Sequence, residues 1–449
     1  MDRHEADLPM PGDQSISRRS LLKGVGAGSL AVSAGGILAA CSSGLKGGGS
    51  SGASGTINIG FITPLTGELS GFASGDRYVL SQIQHSSTYK SGIKIGSKKY
   101  KININVQDSQ SSPTRAGQVA QQLITQDHVD LILTTSTPET TNPVATACEK
   151  LHTPCLSTVV PWEAWYGGLG GNPVQPTKSF QYCTMFFFGL KEFQGCFAPM
   201  WNRVKTNKIV ACQYPNDADG NAFRAGFEPL IKAAGYKAVD GGPYSDGTTD
   251  FTSMISTFKN KHAELFSNCP LPPDFNTFWK QASQQGFKPK LATVAKVLLF
   301  PADTVALGAL VNNVATDSWW GPYMPNTSSL TGQTSKALAD GYQAKTGNQW
   351  VQSIGSTYSL FEVAREAFAA VSDPHDAAEV ASALHKVNYT GMCGALNFAN
   401  GPAPGVGIIN PVGVQWKKST GKFPFEMTVV DNSLNTAVPV QADLVPTNA

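Results

Sequence analysis

Five consecutive residues, Ser136-Thr137-Pro138-Glu139-Thr140, carry the chemistry of a small-molecule contact: hydroxyls, a proline suited to the first turn of a helix, and a carboxylate. Thr137 can cap that helix, Pro138 loses nothing by lacking an N–H there, and the free N–H groups of the next turn point toward an anion. Such helix-end stabilisation is worth roughly 0.3–1 kcal/mol, rising to about 2 when partly buried. Glu139 competes for the same field, so either its side chain points away from the bound group or that group is not strongly anionic. An ordinary capped helix also accounts for the stretch without any ligand. Asp219 and Asp274 each stand at the start of a helical stretch. A carboxylate there either caps the helix or, if it faces a closed site, receives a donor group from a ligand, because burying it unpartnered is costly. Phe72, Phe251, Trp320 and Tyr323 fall on loops and can supply an apolar wall. Trp162 and Trp165 either extend that wall, as an apolar or cation-binding surface, or fill a hinge between domains.

Other chemistries are poorly represented. Asp217, Asp219, Asn221 and Glu228 have part of the spacing of a calcium loop, but Gly220 precedes the position where the sharp turn needs glycine, and no metal is expected. The 7 histidines are scattered and no CxxC occurs, which argues against zinc. No GxSxG, HExxH, phosphate-binding loop or GxGxxG stands at a strand-to-helix junction, so neither an enzyme nor a cofactor is expected. The formal charge is +2 with no basic run, which argues against nucleic acid. Up to Cys41, Arg3, Arg18, Arg19 and Lys23 balance Asp2, Glu5, Asp7 and Asp13, so the remainder carries the same charge.

The N-terminal segment speaks to location. Ser17-Arg18-Arg19-Ser20-Leu21-Leu22-Lys23 opens a weakly apolar stretch ending at Leu38-Ala39-Ala40-Cys41. A twin arginine before a short apolar segment is an export signal, and small residues before a cysteine resemble a lipobox, which makes Cys41 the lipidated first residue of the mature chain. The stretch is too short and too polar to span a bilayer. Residues 1–41 are therefore expected to be a signal peptide, and the Gly/Ser run 42–55 a tether reaching about 20 Å. The expected place of work is the outer face of the cytoplasmic membrane. Of 8 cysteines, those after Cys41 are odd in number, so at least one stays free in a monomer. Cys148 and Cys155 flank a helix-to-strand turn and are the first candidates for a disulfide. Cys212 and Cys269 sit late in neighbouring strands, where they either pair or act as small apolar residues. Cys183, Cys196 and Cys393 have no evident partner.

From Thr56 short apolar strands alternate with amphipathic helical stretches, the pattern of βαβ units and parallel sheets. Strands are predicted at 57–62, 102–106, 130–133 and 155–158, with helices from about Ala73, from Pro113 and over 138–151. The rhythm restarts with strands at 208–212, 265–267 and 291–293 and helices from about Asp219 and over 274–285. Pro161 to Phe188, rich in aromatics, Gly and Pro, reads as a crossing and not as a strand–helix unit. Helices over 334–345 and 356–371 and strands near 412–416 and 427–430 complete sheets begun earlier. The fold class is α/β, with two doubly wound lobes, each discontinuous in sequence. Strand C-termini of such lobes face a shared cleft where ligands bind.

Several segments in this order are similar to the substrate-binding lipoproteins of branched-chain amino acid type ABC transporters, the type I periplasmic binding protein fold. They are Ile59-Gly60-Phe61-Ile62-Thr63-Pro64-Leu65-Thr66-Gly67, Tyr214-Pro215-Asn216-Asp217-Ala218-Asp219-Gly220, Gly247-Thr248-Thr249-Asp250-Phe251, Pro272-Pro273-Asp274-Phe275 with Lys280 to Gly286, and Ser318-Trp319-Trp320-Gly321-Pro322. The resemblance implies two lobes joined by three crossing strands: residues 56–183 with 321–407 as the first, and 184–320 with 408–449 as the second. It implies a small molecule clasped between them, closure sensed by an ABC permease, a monomer, and no bond-making chemistry. It places a ligand carboxylate on the Ser136–Thr140 loop, a second contact on Ser157-Thr158-Val159-Val160-Pro161-Trp162, and a ligand ammonium at Asp274, where relatives carry a glutamate. The ligand contacts it implies are Phe72, Ser136, Thr137, Thr158, Val160, Trp162, Asp219, Phe251, Asp274, Trp320 and Tyr323. The ligand is then a branched-chain or other amino acid, or an aromatic acid or amide. A lipoprotein that senses a ligand and signals to a membrane regulator is the alternative.

Overall fold

A computed structural model describes residues 55–448; the expected signal segment with the lipobox Cys41, and nearly all of the tether, lie outside the described residues. The first run of strands comprises β1 (Gly55–Thr63), β2 (Ile93–Ile95), β3 (Lys98–Asp108), β4 (Leu131–Thr135), β5 (Cys155–Thr158) and β6 (Cys183–Phe186). The second comprises β7 (Ile209–Gln213), β8 (Lys237–Asp240), β9 (Leu265–Asn268), β10 (Leu291–Val294) and β11 (Ala315–Ser318). A hairpin, β12 (Asn388–Gly391) with β13 (Gly394–Asn397), precedes β14 (Val406–Gly407), β15 (Val412–Lys418) and β16 (Phe425–Asp431).

These strands build two 7-stranded sheets, in the orders β14-β6-β5-β4-β1-β3-β2 and β16-β15-β11-β10-β9-β7-β8. Their central strands run parallel, as between β1 and β4 (Ile59 opposite Leu131) and between β7 and β9 (Val210 opposite Leu265). Every residue of β4, β5, β9, β10 and β11 is buried, which follows from helices covering both faces of a parallel sheet. The chain passes between the sheets 3 times: after β6, after β11 and after β14. The first passage follows Phe186, not the 183/184 division expected from sequence, because Cys183–Phe186 pairs with β5 and β14 inside the first sheet. The stretch from Pro161 to Phe188 is therefore corrected. It holds a helix, Trp162–Gly168, as well as β6, and its turn-rich middle hid both from a reading of composition. Strands β2, β8 and β11 and the hairpin were also not apparent from sequence, being short or flanked by polar residues.

Buried polar contacts fix the loops at the strand ends. Asp76 accepts from the Thr63 hydroxyl at 2.6 Å and from the Thr357 hydroxyl at 2.8 Å, tying the end of β1 to the helix Ser353–Ala369. Burial pushes its carboxyl up to about 6 despite these two bonds. Among the described residues no helix is long and apolar enough to cross a membrane.

The expected Cys148–Cys155 disulfide is not present: all 7 described cysteines are free and buried. Cys148 lies on the helix Pro138–Lys150 and Cys155 on β5 beside Cys183, whose thiol donates to the Ala145 carbonyl at 3.1 Å. These thiols fill the space between helix and sheet as small apolar groups, and burial pushes those of Cys148 and Cys183 up. The Cys212–Cys269 alternative is likewise unformed. A disulfide-exchange reagent should accordingly label no thiol of the folded chain from Ser42 onward and all 7 after guanidinium unfolding; a lower count in the unfolded protein contradicts the free-thiol arrangement.

Candidate functional site

The carboxyl ends of both sheets enclose one cavity. Its walls are contributed by the loops after β1 (Phe72), β4 (Thr137), β5 (Val159, Pro161), β6 (Phe187, Phe188), β7 (Asp219), β9 (Cys269) and β10 (Ala295, Lys296, Leu299), with Asp317 and Trp319 at the end of β11. Phe193 and Phe223 complete the lining; the enclosed space is about 30 Å³, within about 390 Å³ of atom-free space that includes open solvent. One side is a continuous aromatic surface. Phe187 stacks on Phe188 at 4.1 Å between centroids, Trp319 meets Phe187 edge-on at 5.1 Å, Phe188 meets Phe193 at 4.7 Å, and Phe193 meets Phe223 at 5.1 Å.

The opposite feature is an ion network that joins the two halves. Lys296 Nζ lies 3.2 Å from Glu139 Oε1 on the helix Pro138–Lys150, and 3.1 Å from Asp217 Oδ2 and 2.7 Å from Asp219 Oδ2 beyond β7. Asp217 caps the short helix Ala218–Ala222, accepting from Gly220 N at 2.6 Å. Gly220 is required by close approach, since a Cβ there would run into the Pro215 carbonyl oxygen. Arg224 holds the same loop from behind, pairing with Asp240 at 2.6 Å and donating to the Tyr214 carbonyl at 2.9 Å. Lys296 itself has φ 66°, a left-handed backbone that non-glycine residues avoid, and Asn268 Oδ1 fixes the turn by accepting from Ala295 N at 3.2 Å. Ser136 (φ 136°) and Val159 (φ 62°) show that the loops after β4 and β5 are similarly constrained.

Burial and charge shape the protonation states. Burial works against the charged form of Lys296, but Asp219, Glu139 and Asp217 outweigh it and hold the ammonium well above its usual range. Burial also raises Glu139, yet Lys296 prevails and keeps it ionised below the usual carboxylate range. Asp219 is pushed up to about 7, first by burial and then by its acidic neighbours, against the pull of Lys296. Glu139, Asp217 and Asp219 bring oxygens close enough together to hold a metal ion, but the Lys296 ammonium stands within 3.2 Å of each. Several buried groups remain without a hydrogen-bond partner: Thr137 Oγ1, Ser136 Oγ, Glu139 Oε2, Asp219 Oδ1, Asp317 Oδ1 and Trp319 Nε1. Of these, Thr137, Asp219, Asp317 and Trp319 line the cavity, where a polar guest could satisfy them.

The candidates named from sequence divide around this cavity. Phe72, Thr137 and Asp219 line it. Thr137 occupies the cap position, but its hydroxyl makes no capping bond and is left facing inward, while Ser136 is buried beside it. Thr158 donates its hydroxyl to the Phe186 carbonyl at 2.7 Å, and Val160 is buried between the lining residues Val159 and Pro161. Trp162 packs edge-on against Tyr166 at 6.1 Å, and Trp165 against Phe180 at 5.6 Å, so both fill the interior beside the crossing segment. Phe251 meets Tyr244 at 5.1 Å and Phe278 at 5.7 Å within the second lobe. Trp320 packs on Trp350 at 6.2 Å, and the Tyr323 hydroxyl meets Ser318 Oγ at 2.5 Å. Asp274 accepts from Gly247 N at 3.0 and 3.2 Å and is not among the lining side chains. Its carboxylate holds the Gly247–Phe251 segment, and burial raises its pKa. Lys296, the neighbouring pair Phe187-Phe188, Phe193, Phe223, Asp317 and Trp319 were not singled out from sequence. The adjacent phenylalanines before a crossing were the available signal; Lys296 offered none.

Asp317 provides a clean test of the cavity's electrostatics. Burial pushes it up to about 7, against the pull of its own backbone N–H and of the neighbouring Thr316. A folded-state pKa above the unfolded value means that the stability is complete below about pH 4 and is lost as pH rises through about 7. Asp317→Asn should match the wild type near pH 4 and exceed it by on the order of 2–4 kcal/mol near pH 9, measured by urea unfolding; identical pH responses of the two proteins contradict this assignment.

A family described as periplasmic binding protein matches residues 56–407. The fold is similar to that of a leucine-binding protein from Thermotoga maritima MSB8, with TM-score 0.68 and 18% identity, covering 83% of this chain and 98% of that one. It is similar to the branched-chain amino acid transporter substrate-binding protein of Streptococcus pneumoniae in complex with isoleucine, with TM-score 0.62, 18% identity and coverage of 84% and 99%. It is also similar to a solute-binding protein of an ABC transporter from Rhodopseudomonas palustris BisB5 in complex with 3,4-dihydroxybenzoic acid, with TM-score 0.63, 17% identity and coverage of 87% and 98%. Because the match runs from the first strand to the last strand of the first sheet, the chain belongs to the periplasmic binding protein family, and its fold is the two-lobed type I architecture of that family.

Proposed function

We propose that this protein is an extracytoplasmic solute-binding lipoprotein that captures a small molecule between its lobes and delivers it to the permease of an ABC importer. The observation that carries the reading is the cavity at the strand ends of both sheets, where unpartnered buried hydroxyl, carboxyl and indole groups face an aromatic wall. A molecule touching Thr137 on one side and Asp219 or Trp319 on the other binds the closed arrangement better than an open one. Binding then shifts a hinge equilibrium that a permease can sense, without any bond being made or broken. The ligands named for similar structures, isoleucine and 3,4-dihydroxybenzoic acid, bracket the apolar amino acid and aromatic acid classes expected from sequence.

Location rests on Arg18-Arg19 and on the small residues before Cys41. In this reading the exported chain is anchored through a lipid on Cys41 and works as a monomer.

Two measurements test the proposal. A thermal-shift panel of amino acids, aromatic acids, amides and polyols should contain a compound that at a hundred times its dissociation constant stabilises the protein by about 2.7 kcal/mol, with Phe188→Ala weakening that compound at least tenfold. A panel in which nothing shifts the midpoint counts against solute capture. Replacing Cys41 by serine should move the protein from the membrane fraction to the soluble one; unchanged membrane association would show that the anchor lies elsewhere.

A further inference from the structure

Lys296 distinguishes this cavity from a simple amine receptor. Its ammonium donates to Glu139 Oε1 at 3.2 Å and to Asp217 Oδ2 at 3.1 Å, and pairs with Asp219 Oδ2 at 2.7 Å. The group is buried, and its strained backbone is held by Asn268, so the side chain is committed to this position. Lys296 is therefore committed to carboxylates of the protein itself, and the carboxylates from both lobes are already engaged by a cation of the protein's own. A second ammonium would have to share those carboxylates with Lys296 and would meet its like charge at short range. What the cavity leaves free is different in kind: the indole N–H of Trp319, buried and unpartnered, next to the phenyl rings of Phe187, Phe188, Phe193 and Phe223, with the Thr137 hydroxyl lining the same cavity beside Glu139. Those groups match a flat apolar body bearing an oxygen that accepts hydrogen bonds.

We propose, resting on the solute-capture reading above, that Lys296 is a specificity-determining residue whose ammonium fills the place of a ligand amine, so that the natural ligand is a small aromatic molecule without an amine, recognised through a carbonyl or hydroxyl oxygen. The three carboxylates around one lysine leave surplus negative charge, and the proton that Asp219 retains near neutrality reduces it. With Asp219 protonated the cluster keeps one net negative charge, held on carboxylates that Lys296 already engages.

The test uses matched pairs on the purified protein by calorimetry: L-phenylalanine against 3-phenylpropanoic acid and 3-phenylpropanamide, and L-tyrosine against 3-(4-hydroxyphenyl)propanoic acid. The amine-free member of each pair should bind at least tenfold tighter. In Lys296→Met the preference should move toward the amine by at least tenfold, while Lys296→Arg, which keeps a cation, should retain the wild-type order. Equal or tighter binding of the amines by the wild type overturns the inference whatever the variants do, and leaves solute capture standing. Silence of all these compounds together with a silent general panel overturns both.

Discussion

The molecule is organised around one buried cation. An ammonium removed from water is strongly destabilising unless its proton positions are filled by acceptors of opposite charge, and Lys296 meets that condition only where Glu139, Asp217 and Asp219 converge. Glu139 belongs to a helix that follows β4 of the first sheet, whereas the other three follow strands of the second. The network therefore joins a helix of the first lobe to loops of the second. Its surroundings are built to keep it there: a left-handed turn at Lys296, the cap bond from Gly220 to Asp217, and the Arg224–Asp240 pair behind the loop.

The rest of the site follows from strand direction. Parallel strands end on the same side of a sheet, and two such sheets facing one another bring many loops to one gap. That arrangement explains why lining residues come from positions as far apart in sequence as Phe72 and Trp319. It also explains the division of labour. The first lobe brings a helix start and unpaired hydroxyls, the crossing segment brings stacked phenylalanines, and the second lobe brings the charged loop and an indole.

Much of the frame was legible from periodicity. The fully buried runs at Leu131–Thr135 and Leu291–Val294 and the helix opening at Pro138 announce themselves through continuous apolar residues and start signals, because local backbone preference and burial agree there. Cys183–Phe186 was obscured by the Gly- and Pro-rich residues before it, and Ala315–Ser318 by its polar side chains, although both are wholly buried. Site residues were read less well. Asp274 looked like a ligand carboxylate because it lies where relatives carry a glutamate, and like a cap because it begins a helix, yet it serves the Gly247 amide, a choice that only packing makes. Cys148 and Cys155 are close in sequence, but the space between helix and sheet is filled by free thiols.

Sequence alone determined the alternation of strand and helix, the return of late segments to earlier sheets, and the chemical character of the Ser136–Thr140 loop, since each depends on local pattern or on order along the chain. Tertiary structure decided which side chains face the cavity and what they meet there. A lone lysine among thirty-odd basic residues carries no mark of burial. Lys296 becomes the centre of the site because three acidic groups distant in sequence surround it in space, and such convergence is a property of the folded arrangement, not of any stretch of chain.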